Sequence, residues 1–67
     1  MENKYEIFKE LIELSQREKR GLTIYFNGLT TAGVVVRIIG TEAVELKSQM
    51  YSRTVVRLDS IDAAAVN

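Results

Sequence analysis

Two pairs of carboxylates, Glu42 with Glu45 and Asp59 with Asp62, are spaced so that a general acid–base mechanism could use them. Near pH 7 such chemistry usually relies on a histidine, or on a carboxylate or lysine of strongly shifted pKa. The chain has neither His nor Cys. That removes thiolate chemistry, disulfides and any His- or Cys-ligated metal site. The carboxylates are more economically read as solvated strand and turn residues. The sequence thus points away from an enzyme, from a cofactor and from a small-molecule substrate.

The other chemistry on offer is contact with a polyanion. Arg17, Lys19 and Arg20 form a basic cluster with Glu18 among them. One reading is cations placed at the negative end of a helix dipole, worth about 0.3–1 kcal/mol each. The other is a patch for RNA phosphates. Nine basic and nine acidic side chains leave a formal net charge of zero and a pI near 6.2. A single copy therefore lacks the broad positive field that drives nonspecific nucleic-acid binding.

The elements that must position these groups follow from periodicity. Tyr5, Ile7, Phe8, Leu11, Ile12 and Leu14 fall on one side of a helical wheel, with Glu6, Lys9, Glu10, Glu13, Arg17 and Arg20 opposite. Asn3 with Glu6 has capping-box spacing, Glu13 and Arg17 form an i,i+4 pair, and Gly21 stands where a C′ glycine would end the helix. Leu22, Ile24 and Phe26 then alternate with Thr23 and Tyr25 up to Asn27-Gly28, the strongest short hairpin signal. A long run from Thr30 to Ile39 contains Gly33, which marks a bend or bulge. Ala43–Ser48 and Arg53–Leu58 read as further strands around a polar turn at Gln49–Ser52. Asp59–Asp62 suits a single helical turn, and Ala63–Val66 is a last strand of little bulk.

The expected fold is α+β and mostly β: an N-terminal helix, then a five-stranded, strongly bent antiparallel barrel of SH3-like type. Its 67 residues make one domain, 1–67, of 7.6 kDa. No apolar run approaches the ~20 residues of a membrane helix, and Glu2, Glu6 and Glu10 do not suit a secretory signal. The cytoplasm is the expected compartment. Below about 70–80 residues a core rarely supplies more than ~3–5 kcal/mol, so self-association is the expected supplement. The alanine-rich last strand leaves an edge that a neighbouring copy would cover. The predicted interface is Val55, Val56 and Arg57 on the fourth strand with Ala63, Ala64, Ala65 and Val66 on the fifth.

The residue pattern resembles the Sm-like superfamily, and within it the bacterial Hfq branch. That family has a basic Arg-Arg-Glu-Arg-type helix end before a strand closing Ile-Tyr-x-x-Asn-Gly. Here Gln16-Arg17-Glu18-Lys19 precedes Ile24-Tyr25-Phe26-Asn27-Gly28, one residue shorter before the Asn. Gly33 and Leu46-Lys47 match a bent second strand and a third strand ending Leu-Lys. Val56 to Ala64 aligns without gaps on the closing segment Val-Tyr-Lys-His-Ala-Ile-Ser-Thr-Val.

The resemblance implies a homo-hexameric ring, with a heptamer as the alternative, that binds single-stranded RNA. It implies adenine-rich RNA on the face of Tyr25, Leu29 and Thr30, and a lateral RNA rim at Arg17, Lys19 and Arg20. The family's uridine face is altered here. Leu58 and Asp59 replace its Lys-His pair, Gly40-Thr41-Glu42-Ala43 lacks its stacking aromatic, and the turn at Ser48–Thr54 is about two residues longer. An ionised Asp59 cannot donate to a uracil carbonyl and repels phosphate. The implied function is an Hfq-like RNA chaperone or post-transcriptional regulator. The alternative is a barrel of the same kind that binds protein or only assembles with itself, which Asp59 and Asp62 favour.

Overall fold

The computed structural model describes residues 4–67. The capping box expected at Asn3 lies outside the described residues. Helix α1 spans Lys4–Glu18 and is followed by β1 (Leu22–Phe26), β2 (Leu29–Ile39), β3 (Ala43–Lys47), β4 (Thr54–Arg57), a single 3₁₀ turn (Leu58–Ser60) and β5 (Ala63–Val66). All strand pairings are antiparallel, in the order β4-β3-β2-β1-β5. The expected α+β fold is the one observed.

β2 is the spine of this sheet. Its first half, up to Gly33, pairs with β1, and from Val34 onward it pairs with β3. The bend falls where the partner changes. A Cβ on Gly33 would stand 2.8 Å from the Lys47 carbonyl oxygen and 3.2 Å from the Leu46 Cβ, so only glycine lets β2 pass this close to the end of β3. A register shift between Val35 and Arg37 adds a bulge just beyond the bend. At the other end of β1, Asn27 (φ 49°) and Gly28 (φ 75°) supply the two positive φ values of a tight hairpin turn. Asp62 reaches back to accept a hydrogen bond from the Asn27 backbone N–H at 3.0 Å.

The bent sheet encloses Leu22, Ile24, Val35, Val44, Leu46, Val56, Leu58 and Ile61, all buried. Helix α1 adds Ile12 to this core and packs Tyr5, Phe8 and Leu11 against it. Burying one such aliphatic side chain contributes about 1.5–3 kcal/mol. The apolar side of the helix is narrower than its sequence suggests, since Ile7 is 58% exposed.

The helix end also differs from expectation. Gly21 is not the C′ residue; the chain leaves the helix at Lys19, which takes a left-handed φ of 55°. This geometry lets the Arg20 N–H reach back to the Ser15 carbonyl at 3.2 Å. The Ser15 hydroxyl, wholly buried, donates to the Arg20 carbonyl at 2.6 Å and accepts from the Val35 N–H at 3.1 Å. One hydroxyl thus finishes the helix and satisfies a backbone donor at the β2 bulge. Glu13 accepts from the Tyr5 hydroxyl at 3.3 Å, and Arg17 pairs with Glu18 instead of Glu13. The turn after β4 begins at Leu58, with Arg57 in the cap position and no side-chain cap from Asp59 or Ser60.

Candidate nucleic-acid interface

The antiparallel register decides which side chains share a face. Tyr25 lies opposite Thr30 on β2 and Ala63 on β5, and Thr23 lies opposite Ala32 and Ala65. Residues directly across a ladder point the same way. Tyr25, Thr30, Ala32, Ala63 and Ala65 are all exposed, so this side of the sheet faces outward. Tyr25 is 43% exposed and Leu29, at the hairpin tip, 61%. A ring standing among small neutral side chains leaves its π-face accessible to a flat partner. Of the three residues expected on this face, Tyr25 and Thr30 stand side by side, whereas Leu29 lies opposite Phe26, which packs on the core, so the ladder sets Leu29 on the other side of the hairpin tip.

The basic cluster is divided. Glu18 binds both neighbouring arginines, with Arg17 at 3.7 Å and Arg20 at 3.2 Å, and Arg20 also donates to the Asn67 carbonyl at 3.2 Å. These pairs are exposed, so each is worth about 0–1 kcal/mol and can open to meet a phosphate. Lys19 turns elsewhere. With Gln16 and Lys47 it borders a depression of about 530 Å³ floored by Val34, Val35 and Val36. Sequence reasoning missed Lys47 as a partner of Lys19, because helix and strand meet only in the folded chain.

A pocket of about 560 Å³ gathers Thr41, Glu42, Arg57, Leu58 and Asp59. The Leu58 N–H donates to the Glu42 carbonyl at 2.8 Å, which holds the two segments together. These segments are the ones in which the sequence departs from the Hfq pattern. Leu58 is buried in the core and offers nothing to a ligand. Asp59 accepts from Arg57 at 2.7 Å, leaving Glu42 as an uncompensated carboxylate at the rim. The pocket thus sets two carboxylates against one guanidinium, an unfavourable balance for phosphate, and its side-chain donors are Thr41 and the Arg57 that Asp59 already holds.

The predicted interface residues occupy the two ends of the sheet. β4 and β5 are its edge strands, and no ladder joins them among the described residues. Val55 and Arg57 point outward and Val56 inward to the core, so Val56 could contribute its backbone edge but not its side chain. On β5 the Ala63 and Ala65 side chains are exposed. No described helix is long and apolar enough to cross a membrane.

Helix first, then five short antiparallel strands on one bent sheet with a 3₁₀ turn before the last: this is the Sm-like fold. In particular, the chain is similar to a crystal structure of Hfq, described as a pleiotropic translational regulator, with a TM-score of 0.78, 22% sequence identity and 100% of each chain covered. No family model matches the sequence, and no curated protein does. The likeness fixes the fold, while the site must be judged on its own residues.

Proposed function

We propose that this chain is a ring-forming, non-enzymatic RNA-binding protein of the cytoplasm, an Hfq-like RNA chaperone or post-transcriptional regulator. Its RNA contacts are Tyr25 and Thr30 on the outward face, Leu29 at the hairpin tip, and the rim at Arg17, Lys19 and Arg20. The observation that carries this reading is the exposed Tyr25 on a neutral face, in a fold whose two open strand edges lie at opposite ends of one sheet. Pairing of β4 with a neighbour's β5 closes copies into a homo-hexamer, or a heptamer at the next size up. The interface then uses Val55, Val56, Arg57, Ala63, Ala64, Ala65 and Val66. One tyrosine and a few cations per copy become a repeated array, and avidity raises weak single contacts by orders of magnitude. A neutral subunit is then no obstacle to binding a polyanion.

Two measurements test it. Light scattering at micromolar protein should give about six times the 7.6 kDa subunit mass, and a clean monomer would remove the array. At low salt, adenine-rich single-stranded RNA should bind more tightly than uridine-rich RNA. Tyr25→Ala should weaken that complex by about tenfold, since stacking is worth roughly 1–3 kcal/mol per base. A barrel that serves only protein contact or self-assembly is the second reading, favoured by the carboxylates of Glu42 and Asp59 in one pocket. In that case neither Tyr25→Ala nor Arg17→Ala changes any RNA complex.

A further inference from the structure

The turn between β3 and β4 carries the most exposed aromatic ring among the described residues. Tyr51 is 58% exposed and its neighbour Met50 83%. The turn is nevertheless held in shape. The Ser48 N–H donates to the Tyr51 carbonyl at 2.9 Å, and the Tyr51 N–H donates to the Ser48 hydroxyl at 3.2 Å. With its backbone fixed at both groups, Tyr51 has only two side-chain torsions left to order on binding. The turn folds against the start of β2, where Thr30, Thr31, Ser48, Gln49 and Tyr51 border a depression of about 550 Å³.

The chemistry of this depression is distinctive. Its hydrogen-bonding side chains are three hydroxyls from Thr30, Thr31 and Ser48, the Gln49 amide and the Tyr51 phenol, and none of the residues bordering it is ionisable as an acid or base near pH 7. Hydroxyls and a primary amide each offer both donors and acceptors, which matches the mixed edge of a nucleobase. An exposed aromatic ring supplies the complementary π-face. Phosphate has no cation here, so a strand would keep its backbone outside and turn a base inward.

Thr30 links this depression to the Tyr25 face, because it borders the one and stands opposite Tyr25 in the ladder. Tyr25 lies on β1 and the turn flanks the far side of β2, about two strand spacings or ~10 Å away. One base cannot span both rings, whereas successive bases of one strand can.

We propose that Tyr51 is a second stacking platform and that its depression takes a nucleobase of single-stranded RNA, so that each subunit engages a base at Tyr25 and another at Tyr51. This rests on the RNA-binding reading and deepens it. A peptide is the competing occupant, and the continuity with Tyr25 and the uncharged hydrogen-bonding border favour RNA.

The test compares the unaltered protein with Tyr51→Ala, Tyr51→Phe and Tyr25→Ala by fluorescence anisotropy on short adenine-rich and uridine-rich single-stranded RNAs at low salt. Tyr51→Ala should weaken the tighter complex about tenfold, equivalent to about 1.4 kcal/mol. Tyr51→Phe, which keeps the ring, should stay within about twofold. Tyr51 is exposed, and circular dichroism of each variant verifies that the fold is kept. If Tyr25→Ala loses affinity while Tyr51→Ala does not, this inference falls and the RNA-binding reading stands. If the unaltered protein binds neither RNA, both fall together. If Tyr51→Ala lowers the assembly mass in light scattering while the RNA affinity of what remains assembled is unchanged, the turn is a protein contact and the inference is overturned.

Discussion

The two halves of the bent sheet are made of the same kind of strand yet present different surfaces. Around the β1–β2 hairpin the outward residues are Tyr25, Thr30, Ala32, Ala63 and Ala65, small and uncharged but for the one ring. Beyond Gly33 charged residues join the outward ones, beside the exposed Val36 and Val55. Glu45 bridges Arg37 at 3.6 Å and Arg53 at 3.1 Å, and Arg57 holds Asp59 at 2.7 Å. A half in which several charges already hold partners of opposite sign offers fewer of them to a ligand. Around the hairpin the carboxylate of Asp62 is engaged by the Asn27 N–H, and the Tyr25 ring stays open to a partner. The position of Gly33 at the change of partner means that one residue separates the two surfaces.

The largest effect should come from breaking that join. Gly33→Val places atoms where a Cβ alone would already be 2.8 Å from the Lys47 carbonyl oxygen. Backbone on one side and the Leu46 side chain on the other give little room to relax. Overpacking of this kind should cost about 3 kcal/mol, most of what a domain this small holds. Urea unfolding at fixed protein concentration reads the loss. An unchanged midpoint would mean that β2 can straighten, and the two halves would then not depend on the bend.

Ser15 fastens the helix end to the second half of the sheet, through the Arg20 carbonyl and the Val35 N–H. Ser15→Ala leaves the Val35 N–H and the Arg20 carbonyl without their hydroxyl partner in a wholly buried place. An orphaned buried backbone group costs about 1–3 kcal/mol, and we expect about 2 kcal/mol here. Faster hydrogen exchange confined to the Val35 amide would localise the loss to the bulge. Uniform acceleration across the sheet would instead make Ser15 a general packing residue.

The sequence was informative where the determining contacts are local. Asn27-Gly28 gives a hairpin because both positive φ values belong to adjacent residues, and the alternation through β1 separates Tyr25 from the core without reference to the rest of the chain. Gly33 marked the bend as a glycine inside a run rich in Val and Ile, although the close approach that requires it comes from Leu46 and Lys47 on β3. The helix stop was misplaced at Gly21 because Lys19, a residue with no preference for left-handed φ, is held there by Ser15 and Arg20. The bulge at Val35 depends on a serine twenty positions earlier, and no periodicity announces it. The candidate site divides likewise. Tyr25, Leu29 and Thr30 were named through the resemblance of the hairpin to the family pattern, whereas the meeting of Thr30 with Tyr51, or of Lys19 with Lys47, is set by how β2 bends.

The smallest expected effect probes the charged half directly. Replacing both carboxylates of its pocket, Glu42→Gln with Asp59→Asn, removes two negative charges and keeps side-chain shape. Both residues are exposed, and the Arg57–Asp59 pair contributes little to stability in water, so the fold should change by less than about 0.5 kcal/mol. Uridine-rich RNA should then gain about threefold in affinity, most at low ionic strength, because Arg57 is freed and screening by salt erases the difference. Adenine-rich RNA, held on the other half, should be unaffected. An equal gain for both RNAs would show that the carboxylates act through the overall charge of the assembly. The contrast between the two halves would then be one of field and not of place, and the neutral surface around Tyr25 would lose its claim to be the distinct binding side.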